Sequence, residues 1–170
     1  MVPSNKLKKD ETGTTCDSTN YKQMVGCLMY LLASRPDLAF SVCLVARFME
    51  RPTEIHVVAV KRILRYLKGT ISYGLWYKRE KNDELTGWSD SDYAGDLDDR
   101  KSTSGYVFMI GSKVVSWSSK KQPIVTLSTT EAEFIAAANC ACQAIWLSRV
   151  LAHISSRMEE CITISYQGIQ

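Results

Sequence analysis

The stretch Gly87-Trp88-Ser89-Asp90-Ser91-Asp92-Tyr93-Ala94-Gly95 decides how the chain is read. It continues the short β-forming run that starts at Leu85 and delivers an aspartate to the end of a strand. A second carboxylate lies in Ser128-Thr129-Thr130-Glu131-Ala132-Glu133-Phe134, where Ser128 and Glu131 have the spacing of a capping box that opens a helix. One acid at a strand end and one in the first turns of the next helix can hold magnesium against a phosphodiester. Asp90 and Glu133 are therefore the candidate catalytic and metal-holding residues.

Working outward, Tyr106 to Ile110, Gly111-Ser112 and Lys113 to Trp117 predict a hairpin with a two-residue turn. Ser72 to Lys78 is expected to form a further strand, and Ile162-Thr163-Ile164-Ser165-Tyr166 a last one. The helix opened by Ser128 is expected to run to about His153. Upstream, apolar spacing predicts three helices. The first spans Tyr21 to Ser34. The second starts at Pro36 and stops at Pro52, as proline allows. The third is capped by Thr53 and ended by Gly69, with Leu64 on its buried stripe. The expected organisation is a disordered polar tail over 1–18, a helical part over 19–80 and an α/β part over 81–170.

With 170 residues, 45% hydrophobic and 23% charged, the chain is of globular composition. A net charge of +3 permits nucleic-acid binding without arguing for it. Arg100-Lys101 and Lys120-Lys121 are the candidate phosphate contacts. Asp92, in step with Asp90, is a candidate replacement ligand, against the reading of a solvated acidic loop with Asp96, Asp98 and Asp99. The six cysteines (Cys16, Cys27, Cys43, Cys140, Cys142 and Cys161) show no zinc spacing and read as reduced core thiols. No signal-peptide or membrane-spanning pattern is visible, which predicts an intracellular protein. His56 and His153 are isolated and read as neither ligand nor base.

From about Tyr21 onward the chain resembles the copia-type retrotransposon polyproteins, at the end of the reverse transcriptase region and the ribonuclease H domain that follows it. The resemblance rests on YKQMVGCLMY (Tyr21 to Tyr30), KRILRYLKGT (Lys61 to Thr70), WSDSDYAG (Trp88 to Gly95), DDRKSTSGY (Asp98 to Tyr106), SWSSKKQ (Ser116 to Gln122) and LSTTEAEF (Leu127 to Phe134). It implies an RNase H-like mixed sheet with helices, preceded by a small helical remnant of the reverse transcriptase connection. It also implies two-metal hydrolysis of RNA in an RNA–DNA hybrid, with Asp90 as the strand carboxylate and Glu133 as the helix carboxylate. The family's third acid follows a strand after the long helix. Gln167 falls near that position, and the fourth acid and the polymerase palm have no counterpart in the sequence. The expectation is a crippled nuclease with weak or lost magnesium binding, weak hybrid binding and no DNA synthesis.

Arg62-Ile63-Leu64-Arg65 is a literal R-x-L-R and resembles the host-translocation tetrapeptide of oomycete secreted effectors. The alternative expectation is therefore a secreted RxLR-type effector. It would enter the host cytoplasm or nucleus and act on a host plant protein to damp defence or cell death.

Overall fold

The computed structural model describes residues 7–10, 12–79, 84–155 and 162–166. Two compact units emerge: Met1–Leu75 with Asp96–Arg100, and Trp76–Gly95 with Lys101–Gln170.

In the first unit, α1 (Ser18–Leu31) starts where the Asp17 carboxylate accepts the backbone N–H groups of Thr19 and Asn20, at 2.9 and 3.2 Å. Helical spacing then places Tyr21, Val25 and Leu28 on one buried face. That face meets Val42 and Val45 of α2 (Ala39–Ala46) and Ala59, Val60 and Ile63 of α3 (Glu54–Gly69). The Tyr21 hydroxyl, inside this core, donates to the Val45 carbonyl at 2.8 Å. Its burial pushes the phenol well above its ordinary range.

Several expectations change here. The first helix begins three residues earlier, because Asp17 supplies the cap. The second is shorter: Pro36–Leu38 is a single 3₁₀ turn, and α2 ends at Ala46. Beyond it Phe48 turns inward and stacks on His56 with ring centroids 4.1 Å apart. The segment before α1 is also tied down over residues 7–10 and 12–17. Leu7 packs on the core, Lys9 N–H reaches the Asp98 carboxylate at 2.9 Å, and Thr15 bridges Thr53. His56 is fully buried. Its Nδ1 accepts the Thr53 N–H at 3.0 Å, which leaves Nε2 to donate to the Lys8 carbonyl at 3.0 Å. The histidine thus acts as a capping side chain, and burial lowers its pKa. Leu64 is 39% exposed, because the buried positions of α3 are His56, Ala59, Val60 and Ile63.

The second unit is a four-stranded mixed sheet in the order β3-β2-β1-β4. β1 (Leu85–Ser91), β2 (Thr103–Ile110) and β3 (Lys113–Lys121) form an antiparallel meander. The β2–β3 turn is Gly111-Ser112, with Gly111 at φ 58°, a conformation that favours glycine. The long helix α4 (Thr129–Ser155) then carries the chain to β4 (Thr163–Tyr166), which pairs with β1 in parallel. This is an α/β, RNase H-like mixed sheet, and a small helical unit precedes it in the chain.

Ser128 caps α4, its hydroxyl accepting the Glu131 N–H at 3.1 Å, while Glu131 reaches back to the Leu127 N–H at 2.6 Å. Ala132, Ala136, Cys140 and Ala144 recur every fourth residue and are all buried. Cys140 and Ala144 pack with Leu85 and Phe108 of the sheet. By length and composition α4 would also span a bilayer, yet this stripe is turned to the sheet. Residues 72–78 form no strand: Tyr73, Trp76 and Tyr77 are exposed, and both edges of β1 are taken by β2 and β4. The cysteines also differ from expectation, since only Cys140 is buried among the described ones, and Cys27 and Cys142 are exposed. No described cysteine is in a disulfide.

Candidate metal-binding carboxylate site

Along β1, Leu85, Gly87 and Ser89 are buried, and Trp88 and Asp90 alternate with them on the exposed side. Register allows this only because Gly87 lies directly opposite Phe108. A Cβ at residue 87 would come within 2.6 Å of the Phe108 ring. At the strand end the Asp90 carboxylate folds back and accepts the Ser91 N–H at 2.8 Å.

Glu133 stands one turn into α4, within electrostatic reach of Asp90 and of the Ser91 backbone. Its carboxyl is raised above the ordinary glutamate range, first by burial and second by the negative charge of Asp90. The backbone N–H of Ser91 works in the opposite direction. The two carboxylates predicted from sequence are thus electrostatic neighbours, and Ser91 N–H serves both. Two like charges with oxygen donors, one of them part-buried, are the donor set a hard divalent cation relieves, so magnesium suits these residues. Among the described residues no group of three or more acidic, histidine or cysteine side chains converges.

Asp92 does not join the pair. The strand stops at Ser91, and Asp92 accepts the Thr103 N–H at 2.6 Å, closing the start of the loop between β1 and β2. Asp96 accepts the N–H groups of Asp98 and Asp99 and pairs with Arg47 at 3.0 Å. The position expected to lack the third acid, Gln167, lies outside the described residues.

Lys120 and Lys121, at the end of β3, line an open cleft of about 670 Å³ together with Tyr106 and, on α4, Asn139 and Gln143. Lys101 directly precedes Ser102, which is buried just ahead of β2, whereas Arg100, at φ 58°, groups with the first unit. Of the tetrapeptide in α3, Arg62, Leu64 and Arg65 are exposed and Ile63 is buried.

One residue of the site was not singled out by sequence reasoning. Gln122 follows the lysine pair, is 3% exposed, and its amide Nε2 lies within hydrogen-bond distance of Ser91 Oγ, Ser104 Oγ and the Ala132 carbonyl. Gln122 closes the SWSSKKQ stretch on which the resemblance rests, but a lone glutamine has no spacing or charge that marks it as part of a site.

No family model matches the sequence. No solved structure matches it either. Among proteins, the chain is 42% identical over 158 residues to the retrovirus-related Pol polyprotein from transposon RE1 of Arabidopsis thaliana, covering 93% of the chain and 11% of the polyprotein. It is 42% identical over 164 residues to the corresponding polyprotein from transposon TNT 1-94 of Nicotiana tabacum, covering 92% and 12%. The chain thus spans only about a tenth of the length of the Pol polyproteins it matches. It is also 46% identical over 129 residues to secreted RxLR effector protein 161 of Plasmopara viticola, covering 75% of the chain and 91% of that protein. Identities of this extent lead to one conclusion: the chain is retroelement-derived and is similar, over more than nine-tenths of its length, to a segment of the copia-type retrovirus-related Pol polyproteins of transposons.

Proposed function

We propose that the second unit is a ribonuclease H-type nucleic-acid module in which Asp90 and Glu133 hold magnesium weakly and the 170-residue chain has little or no hydrolytic activity. The observation that carries this reading is the mixed sheet with α4 packed on it, which sets Asp90 at the end of β1 and Glu133 in the first turns of α4. A bound magnesium ion would polarise a phosphodiester and activate water. The chain's own residues orient the ligands: Ser91 N–H fixes Asp90, and the capped first turn of α4 presents Glu133. A pair of carboxylates is a sparse ligand set for hydrolysis, and the resemblance calls for more acids than these. RNA–DNA hybrid is the proposed nucleic acid. Within the second unit, Lys120 and Lys121 beside the cleft supply charge that meets phosphates, and Lys101 is a further candidate.

The test is incubation of the purified chain with labelled RNA–DNA hybrid and magnesium or manganese, with binding followed across a salt series. Salt-dependent binding without cleavage is expected. Robust cleavage that Asp90→Asn abolishes would overturn the loss of catalysis, and no binding even at low salt would remove the nucleic-acid reading.

A second reading has its own support, in the 91% of an RxLR effector-named relative that the chain matches and the exposed Arg62, Leu64 and Arg65. In that reading the chain is secreted, enters the host cytoplasm or nucleus, and binds a host plant protein to suppress defence or cell death. Expression of the chain in plant leaves should then change defence or cell death even with Asp90→Asn and Glu133→Gln together. Unaltered defence and cell death with the unmodified chain would end this reading.

A further inference from the structure

We infer that Gln122 is the positioning residue of the carboxylate pair: its buried amide ties β1, β2 and α4 together beside Asp90 and Glu133 and sets their spacing. The inference rests on the carboxylate reading above. Nε2 of Gln122 stands 2.7 Å from Ser104 Oγ, 2.9 Å from the Ala132 carbonyl and 3.2 Å from Ser91 Oγ. Ser91 follows Asp90 and supplies the N–H that both carboxylates feel. Ala132 precedes Glu133 on α4, and Ser104 is the register partner of Ser91. One nitrogen therefore contacts the immediate neighbours of both acids.

The residue itself is held from two directions. Its backbone N–H donates to the Ser102 carbonyl at 2.8 Å, and only 3% of it is exposed. The amide has one workable orientation, because a flip would set Oε1 against the Ala132 carbonyl oxygen, acceptor against acceptor. In that orientation Oε1 is buried with no hydrogen-bond partner among the described residues. A buried oxygen left without a partner is unfavourable, and an apolar side chain of the same length would avoid it. The donor half of the amide is what the site uses. Groups that orient metal-holding residues from behind commonly change metal affinity about 10- to 100-fold when removed.

The experiment compares Gln122→Met, which keeps the length and loses the donors, with Phe108→Leu, which disturbs the same core without touching the amide. In each, NMR follows the cross-peak between the Ser91 amide proton and the Glu133 side-chain protons, a direct reading of the spacing, and manganese(II) titration gives the ion's dissociation constant. With Gln122→Met the cross-peak should weaken, and manganese affinity should fall about 10- to 100-fold. Phe108→Leu should lower the melting temperature and leave both readouts in place. An undiminished cross-peak in Gln122→Met overturns the inference. If Gln122→Met does not fold, Ser104→Ala, which removes the nearest acceptor, carries the same test, and an unchanged cross-peak there is equally fatal. Manganese binding that ignores Asp90→Asn in the unmodified chain would sink the carboxylate reading instead, while the cross-peak still decides the role of Gln122.

Discussion

Replacing Gly87 by alanine should destabilise the second unit and leave the first untouched. An added Cβ would lie 2.6 Å from Cε1, 3.0 Å from Cδ1 and 3.2 Å from Cζ of Phe108. That ring is fully buried against Cys140 and Ala144 and meets Tyr106 edge-on at 5.5 Å, so it has little room to retreat. Overpacking of this kind costs about 1–3 kcal/mol. Alanine also restricts the unfolded chain, which returns about 0.4–1 kcal/mol. The net expectation is a loss of about 1–2 kcal/mol. The assay is urea unfolding read by tryptophan fluorescence. Trp76, Trp88, Trp117 and Trp146 all belong to the second unit, so the signal reports on that unit alone. Phe108→Leu costs stability by itself but removes the obstacle, so Gly87→Ala should be nearly neutral in that background. The two changes should couple by about 1 kcal/mol or more. A neutral Gly87→Ala, or an equal penalty in both backgrounds, would refute the close approach as the reason glycine stands there.

Asp90→Asn should lower the Glu133 pKa without returning it to the ordinary glutamate value, since burial is the larger cause and remains; carboxyl NMR titration measures both statements. A raised carboxyl pKa contributes stability that is present below the unfolded value and lost as pH rises through the folded one, so the same variant should stabilise the unit at pH 7, as fluorescence-detected unfolding can show. His56 has the opposite sign: its pKa is lowered, so its contribution is complete above the unfolded value of about 6.5 and fades as pH falls below it. Circular dichroism melts should show this loss, and His56→Gln should flatten it. Asp17→Ala, which removes the α1 cap, should cost about 1 kcal/mol in the same melts, and an unchanged midpoint would count against the cap.

The elements most legible in the sequence were those whose causes are local. The Ser128 cap, the Gly111-Ser112 turn and the helical spacing of Val60 and Ile63 each act within a few residues, and each corresponds to an element observed. What was not legible depends on partners distant in sequence. Residues 72–78 are a short run rich in β-forming residues but have no ladder at β1 to join. Leu64 fits a helical stripe, yet the α3 core runs along His56, Ala59, Val60 and Ile63 and leaves it at the margin. Isolation in sequence hid the role of His56, because the groups it bonds include the Lys8 carbonyl, far upstream. The same holds at the site. Asp90 and Glu133 announce themselves by motif, whereas Gln122 acquires meaning only once β1, β2 and α4 have converged on it.

Among the described strands β3 pairs with β2 alone, so its other edge is open apart from the Val114 carbonyl, which accepts the Tyr77 hydroxyl at 3.0 Å. Lys113, Lys120 and Lys121 stand on that strand, and the register shift opposite Phe108 and Met109 distorts its ladder. Positive charge and a bulge are the devices by which a free edge avoids templating a second chain. The lysines proposed to meet phosphate therefore double as gatekeepers against self-association. Replacing them with alanine would confuse lost binding with aggregation, whereas glutamate repels phosphate and still guards the edge.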